Sequence, residues 1–148
     1  MKLLIQRAAR GAVAVDGKTI GQIGRGLVVL VGVRIGDAEA DAVKLAQRTA
    51  TLRIFPDDED RMNRSLADIN GEALVISQFT LYADTRKGNR PSFIRSGDPA
   101  IAEALYNAYV AELARQPGIA RVATGRFAAN MQVELVNDGP VTIELCTD

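Results

Sequence analysis

Apolar and polar positions alternate along this chain in short strand-length runs, broken by two longer stretches with helical spacing. Lys2 to Arg7 and Ala12 to Val15 are the first strand signals, and Asp16-Gly17-Lys18 turns the chain into Ile20 to Ile23. Leu27-Val28-Val29-Leu30-Val31-Gly32-Val33 carries no polar side chain, so both faces of this predicted strand are covered and it lies centrally. Asp37 then offers an N-cap. Glu39 and Asp41 follow it, with Lys44, Arg48 and Arg53 later, the order that complements a helix dipole. Ala42, Leu45, Ala46, Thr49 and Leu52 form the inward stripe, and Pro56 closes the element.

Met62 to Asp68 reads as a loop or short strand, and Glu72 to Thr80 as a second buried strand. Tyr82 to Gly97 is a long polar loop, a length often given to function. Asp98-Pro99 supplies a cap and a first-turn proline for a helix whose stripe is Ala102, Leu105, Tyr106, Tyr109, Val110 and Leu113. Pro117-Gly118 stops it. Met131, Val133 and Leu135 alternate with polar neighbours, as do Val141, Ile143 and Leu145, predicting a C-terminal hairpin around Asn137-Asp138-Gly139-Pro140. Proline cannot donate to a ladder, and Gly139 before it frees the backbone. The step aims the carbonyls of Gly139 and Pro140 in a set direction without a side chain; a plain turn is the other reading. Together these elements predict one α/β (α+β) domain over residues 1–148. Its mostly antiparallel or mixed β core, or barrel-like sheet, carries two main helices.

Composition narrows the chemistry. The 148 residues include no histidine and one cysteine, Cys146. Histidine-dependent triads, paired-histidine zinc sites and thiolate metal cages are therefore excluded. Asp57-Asp58-Glu59-Asp60 allows a carboxylate-bound magnesium ion or, as a solvated turn, nothing; no cofactor or metal is expected. An enzyme built from this chain relies on backbone donors, hydroxyls, amides, lysine, carboxylates or groups of its substrate. No apolar run approaches the roughly 18 residues of a membrane span, and the start is too short for a signal peptide. A lone cysteine suits a reducing compartment, so the cytoplasm is expected. Net charge is zero, yet Arg86, Lys87, Arg90 and Arg95 form a local basic stretch without an acidic residue, a candidate contact for phosphates or a solvated loop.

Ser77-Gln78-Phe79-Thr80-Leu81 places two hydroxyls and an amide at the end of a predicted apolar strand, where sheet proteins often bind ligands. Main-chain N–H groups there suit a developing oxyanion. Ser77 to Leu81 and Asn137-Asp138-Gly139-Pro140-Val141-Thr142 together resemble the two signature motifs of the D-aminoacyl-tRNA deacylase family. The likeness extends to Leu4-Ile5-Gln6-Arg7, Arg53-Ile54-Phe55, Arg90-Pro91-Ser92-Phe93 and Thr124 to Val133, and so runs from end to end. Asn130 stands where the family pattern suggests aspartate, and Tyr82 where a smaller residue is usual, which would reshape the pocket rim.

The resemblance implies hydrolysis of the ester between a D-amino acid and the terminal adenosine of tRNA. It also implies a homodimer, with each site at the subunit interface and a cis Gly139-Pro140 step reaching into the partner's pocket. Ser77, Gln78, Phe79 and Thr80 are then the catalytic candidates, and Gly139 and Pro140 the chirality filter. Arg7 and Asn137 support that filter, Phe127 and Met131 line the adenosine pocket, and Arg86, Lys87, Arg90 and Arg95 meet tRNA. Thr80 as a nucleophile lacks a histidine base, so attack by water is favoured. A non-catalytic tRNA-binding module and a general small-ester hydrolase are the rival readings.

Overall fold

In a computed structural model, which describes residues 1–147, eight strands and two helices follow one another in the chain. Lys2–Val15 (β1), Lys18–Ile23 (β2) and Gly26–Gly32 (β3) come first, then the helix Glu39–Thr51 (α1). The two short strands Phe55–Pro56 (β4) and Met62–Arg64 (β5) pair with each other. Glu72–Ser77 (β6), the helix Pro99–Arg115 (α2), Arg121–Thr124 (β7) and Gln132–Cys146 (β8) complete the chain. The main sheet runs β2-β1-β3-β6-β7, with β8 along the other edge of β1. Pairs β3–β6 and β6–β7 are parallel; β1 is antiparallel to β2, β3 and β8.

The fully apolar run became the strand it predicted. Leu27, Val28, Val29 and Val31 are all buried, because β3 has apolar cover on both faces. One face packs Leu27 and Val29 with Leu3, Ile5 and Val75 against Leu45, Ala46, Tyr109 and Leu113 of the helices. On the other, Val28 meets Val13, Ile23, Leu74 and Ile76, where the sheet curls back on itself. The curl brings Gly21 of β2 so close to β7 that a Cβ there would lie 2.8 Å from the Thr124 carbonyl oxygen. The result is a nearly closed, barrel-like mixed sheet with two helices on its outer face.

Several element ends differ from the sequence pattern. The two N-terminal strand signals are one continuous strand, since β8 pairs with both. Asp37 does not cap α1; Ala38 does, with its N–H donating to the Asp41 carboxylate at 2.8 Å. Asp37 instead accepts from the Met1 amino group and, at 2.8 Å, from the Arg34 N–H. Helix α1 stops at Leu52, before Pro56, which sits in β4. Asp98 does cap α2, accepting from the Ala100 N–H at 2.9 Å.

The predicted C-terminal hairpin is absent. Residues on both sides of Gly139 pair with the same strand, β1, so β8 runs straight on. Gln6 to Ala8 on β1 faces Thr142 back to Asn137 on β8, and the surplus residues of β8 bulge outward opposite Arg7. The Gly139-Pro140 peptide in this bulge is cis.

Candidate active site

Strand β6 is buried on both faces up to Ile76 and ends at Ser77. The Gln78 N–H still donates to the Val31 carbonyl at 2.7 Å, so the chain leaves the sheet tied to β3. It then winds at once into a 3-10 turn, Phe79–Tyr82, where a longer strand was expected. The first N–H groups of such a turn, those of Phe79 and Thr80, have no acceptor within it. Gly32 makes the tight exit possible, because a Cβ there would lie 3.0 Å from the Leu81 Cβ and 3.1 Å from the Gln78 carbonyl oxygen. The Gln78 side-chain amide donates to the Thr80 hydroxyl, joining two of the candidate groups.

This strand end forms one wall of a cavity of about 580 Å³. Ser77, Gln78 and Phe79 line it together with Phe127 and Met131, so the structure gathers five of the predicted site residues. Thr80 is exposed beside the cavity and is not in its wall. Phe93 extends this wall, its ring edge-on to Phe79 with centroids 5.0 Å apart. Phe127 rests against Tyr106 at 6.1 Å, and the Tyr106 hydroxyl donates to the Val75 carbonyl at 2.8 Å, fixing α2 to β6. Burial pushes the Tyr106 phenol up to about 12, so it stays a protonated donor. Phe93 was legible only as part of a motif. Ser96, whose hydroxyl donates to the Phe79 carbonyl at 3.3 Å, gave no pattern signal at all. Tyr82 is not on the rim: it is buried beside Gly32, with the Lys2 ammonium 5.6 Å over its ring.

Gly139 and Pro140 lie elsewhere on the chain. Two side chains shape their bulge. Arg7 donates to the Asp138 carbonyl and to the Ile54 carbonyl, each at 2.7 Å. Asn137 closes the base: its side-chain Oδ1 accepts from the Val141 N–H at 2.7 Å, and its side-chain NH₂ donates to the Thr142 hydroxyl at 3.0 Å. A Cβ on Gly139, at φ +142°, would press on Val141 at 2.8 Å and Arg7 at 3.1 Å. Arg7 is level with Leu27 and hence Ala73, whereas Ser77 is level with Val31 and Leu3. Four residues of strand and three inter-strand steps therefore separate the two motifs, roughly 13 Å along the strands and 14 Å across them. Neither Gly139 nor Pro140 reaches the cavity wall of its own chain.

The basic loop is only partly free. Arg86 is held by the Asp84 carboxylate through several hydrogen bonds, and that guanidinium keeps the carboxyl far below the usual range. Among the described residues, Lys87, Arg90 and Arg95 have no carboxylate within ion-pair distance. The acidic cluster is a turn built on Asp57, which accepts from the N–H groups of Glu59 and Arg61 at 2.9 and 3.0 Å. Among the described residues no group of side chains is arranged to hold a metal ion, and no helix is long and apolar enough to cross a membrane.

The fold and cavity define a barrel-like α/β protein whose cavity presents serine hydroxyls and a side-chain amide beside the end of a buried strand. The sequence profile of the D-Tyr-tRNA(Tyr) deacylase family matches residues 4–146. A D-aminoacyl-tRNA deacylase of Roseiflexus castenholzii is 61% identical over 98% of this chain and 91% of its own. That of Heliobacterium modesticaldum is 57% identical over 97% of this chain and 94% of its own. A solved structure described as a c-Myc DNA unwinding element binding protein superposes with a TM-score of 0.93 at 37% identity, covering 100% of this chain and 99% of that one. A probable eukaryotic D-amino acid tRNA deacylase shares the fold, with a TM-score of 0.80 at 17% identity over 97% of each chain. The chain belongs to the D-Tyr-tRNA(Tyr) deacylase family.

Proposed function

We propose that this protein hydrolyses the ester of D-aminoacyl-tRNA, releasing the D-amino acid and free tRNA in the cytoplasm. The family match over residues 4–146 carries this reading. The cavity supports it, with aromatic and thioether side chains from Phe127 and Met131 for the terminal adenine and polar groups from Ser77 and Gln78 for the ester. Ser77 and Gln78 orient ribose and ester. Water attacks the carbonyl carbon, assisted by the neighbouring ribose 2′-hydroxyl, and the N–H groups of Phe79 and Thr80 hold the oxyanion. Thr80 acts by positioning, through its hydrogen bond from Gln78.

The separation of the two motifs within one chain supports a homodimer in which one chain's Gly139-Pro140 bulge meets the other's cavity. Carbonyl oxygens placed against Cα admit hydrogen and exclude a side chain, so the L enantiomer is rejected by a clash. Each ~1.4 kcal/mol of clash is worth tenfold. Glycine has nothing to reject, and its ester is cleaved as well. Lys87, Arg90 and Arg95 meet backbone phosphates of the acceptor stem. Arg86 contributes less, since Asp84 already neutralises it. Residues 1–148 act as one domain.

The test is to incubate D-Tyr-tRNA, L-Tyr-tRNA and D-tyrosine methyl ester with the protein and follow ester loss. Loss of the D-tRNA ester alone is expected. Loss of all three marks a general esterase. The neighbour described as binding DNA favours a non-catalytic nucleic-acid-binding module as the second reading, and such a module leaves every ester intact.

A further inference from the structure

We propose that the site does not require an α-amino group, so that D-α-hydroxyacyl esters of tRNA are also substrates. This rests on the deacylase reading above and extends its substrate class. The cavity wall carries polar side chains only from Ser77, Gln78 and Ser96; its remaining residues are apolar or glycine, and none is charged. An ammonium group entering it meets neutral hydroxyl, amide and carbonyl dipoles rather than a counter-charge. The bulge that faces the substrate in the dimer offers the same chemistry. Its one carboxylate, that of Asp138, is half exposed and lies 3.8 Å from the Arg7 Nε, whose charge opposes its own. What Gly139 and Pro140 present is a pair of main-chain carbonyl oxygens, which accept from a hydroxyl as they do from an amine.

The size of the substituent is also nearly unchanged. An α-hydroxyl occupies about the space of an α-amino group, and the filter reads hydrogen against side chain at Cα. A D-α-hydroxyacyl ester therefore passes where its L counterpart clashes. The reaction is the same hydrolysis. A water oxygen bonds to the ester carbonyl carbon, the bond from that carbon to the ribose oxygen breaks, and the ribose oxygen takes a proton. The hydroxy acid leaves as its carboxylate with the other proton released to solvent.

D-phenyllactyl-tRNA and D-phenylalanyl-tRNA, each with its L enantiomer, give the test. Every rate is divided by that ester's own spontaneous hydrolysis, since the ammonium group activates an ester without any protein. The expected result is an acceleration of the D-phenyllactyl ester within about tenfold of the D-phenylalanyl ester, the difference between a charged and a neutral donor. The L-phenyllactyl ester should survive. A D-phenyllactyl acceleration at least about a hundredfold lower, with D-phenylalanyl-tRNA cleared normally, overturns the inference alone, because such a gap marks a site built to read the ammonium. Survival of both D esters overturns the deacylase reading and this inference with it.

Discussion

Arg7 offers the sharpest handle on how the bulge is held. Its side chain is only 11% exposed, and it donates to the carbonyls of Asp138 and Ile54, both at 2.7 Å. A hydrogen bond from a charged donor is worth about 1.5–3 kcal/mol net, so the pair contributes roughly 3–6 kcal/mol. Removing the guanidinium also removes the cost of burying it, which offsets part of that sum. Arg7→Ala should therefore lose about 2–4 kcal/mol and lower Tm by roughly 5–15 °C in a chain of this size. The bulge loses the Arg7 bridge from Asp138 to Ile54, so on the proposed filter its carbonyls should no longer be held in place against the substrate Cα. Discrimination between D-Tyr-tRNA and L-Tyr-tRNA should fall at least about tenfold, equivalent to ~1.4 kcal/mol of lost clash. Arg7→Lys keeps the charge but not the fork that spans two carbonyls, and should lie between wild type and Arg7→Ala. Thermal melts and parallel clearance of the two esters are the assays. A folded Arg7→Ala protein with unchanged Tm and an unchanged D-to-L ratio would refute the reasoning.

Glycyl-tRNA should be cleared at concentrations that clear D-Tyr-tRNA, and its survival would remove the steric basis of selection. Thr80→Ala should retain measurable turnover, reduced about ten- to a hundredfold by loss of one positioning contact; a trapped acyl ester on Thr80 would overturn water attack. Glu72 accepts from Arg121 at 2.9 Å and from the Gly24 N–H at 3.1 Å, chiefly the former holding its carboxyl below the ordinary value of 4.5. Its folded pKa is depressed, so its contribution of about 0.5–1 kcal/mol is present above that value and lost as pH falls through the folded pKa. Glu72→Gln should accordingly lower stability near pH 7 and converge with wild type in acid, as urea melts at both pH values would reveal.

Local pattern carried much of the fold where one element's own chemistry decided it. The Asp98-Pro99 start of α2 and the two-sided apolar run of β3 were legible because a cap or an unbroken apolar run acts over a few residues. The continuity of β1 through Ala8 to Gly11 was not, since it depends on β8, distant in sequence, lying along the whole strand. The same pairing turned the apparent hairpin at Gly139-Pro140 into a bulge. Of the site, Ser77 to Phe79, Phe127 and Met131 came through motif resemblance and do share a cavity. Ser96 and the Ile54 carbonyl did not, because each works through main-chain oxygens that no side-chain pattern reports.

A shared site across two chains can be tested with a heterodimer, each subunit carrying its own affinity tag. One subunit bears Gln78→Ala, which disables its cavity but leaves its bulge intact. The other bears Gly139→Ala, whose added Cβ would press on Val141 and Arg7 and displace its bulge. The only working cavity then faces an intact bulge if the two motifs meet across the interface. Clearance of D-Tyr-tRNA over L-Tyr-tRNA should return to the wild-type ratio, while the Gly139→Ala homodimer shows an altered one. A heterodimer that keeps the ratio of the Gly139→Ala homodimer would contradict a site built from both chains.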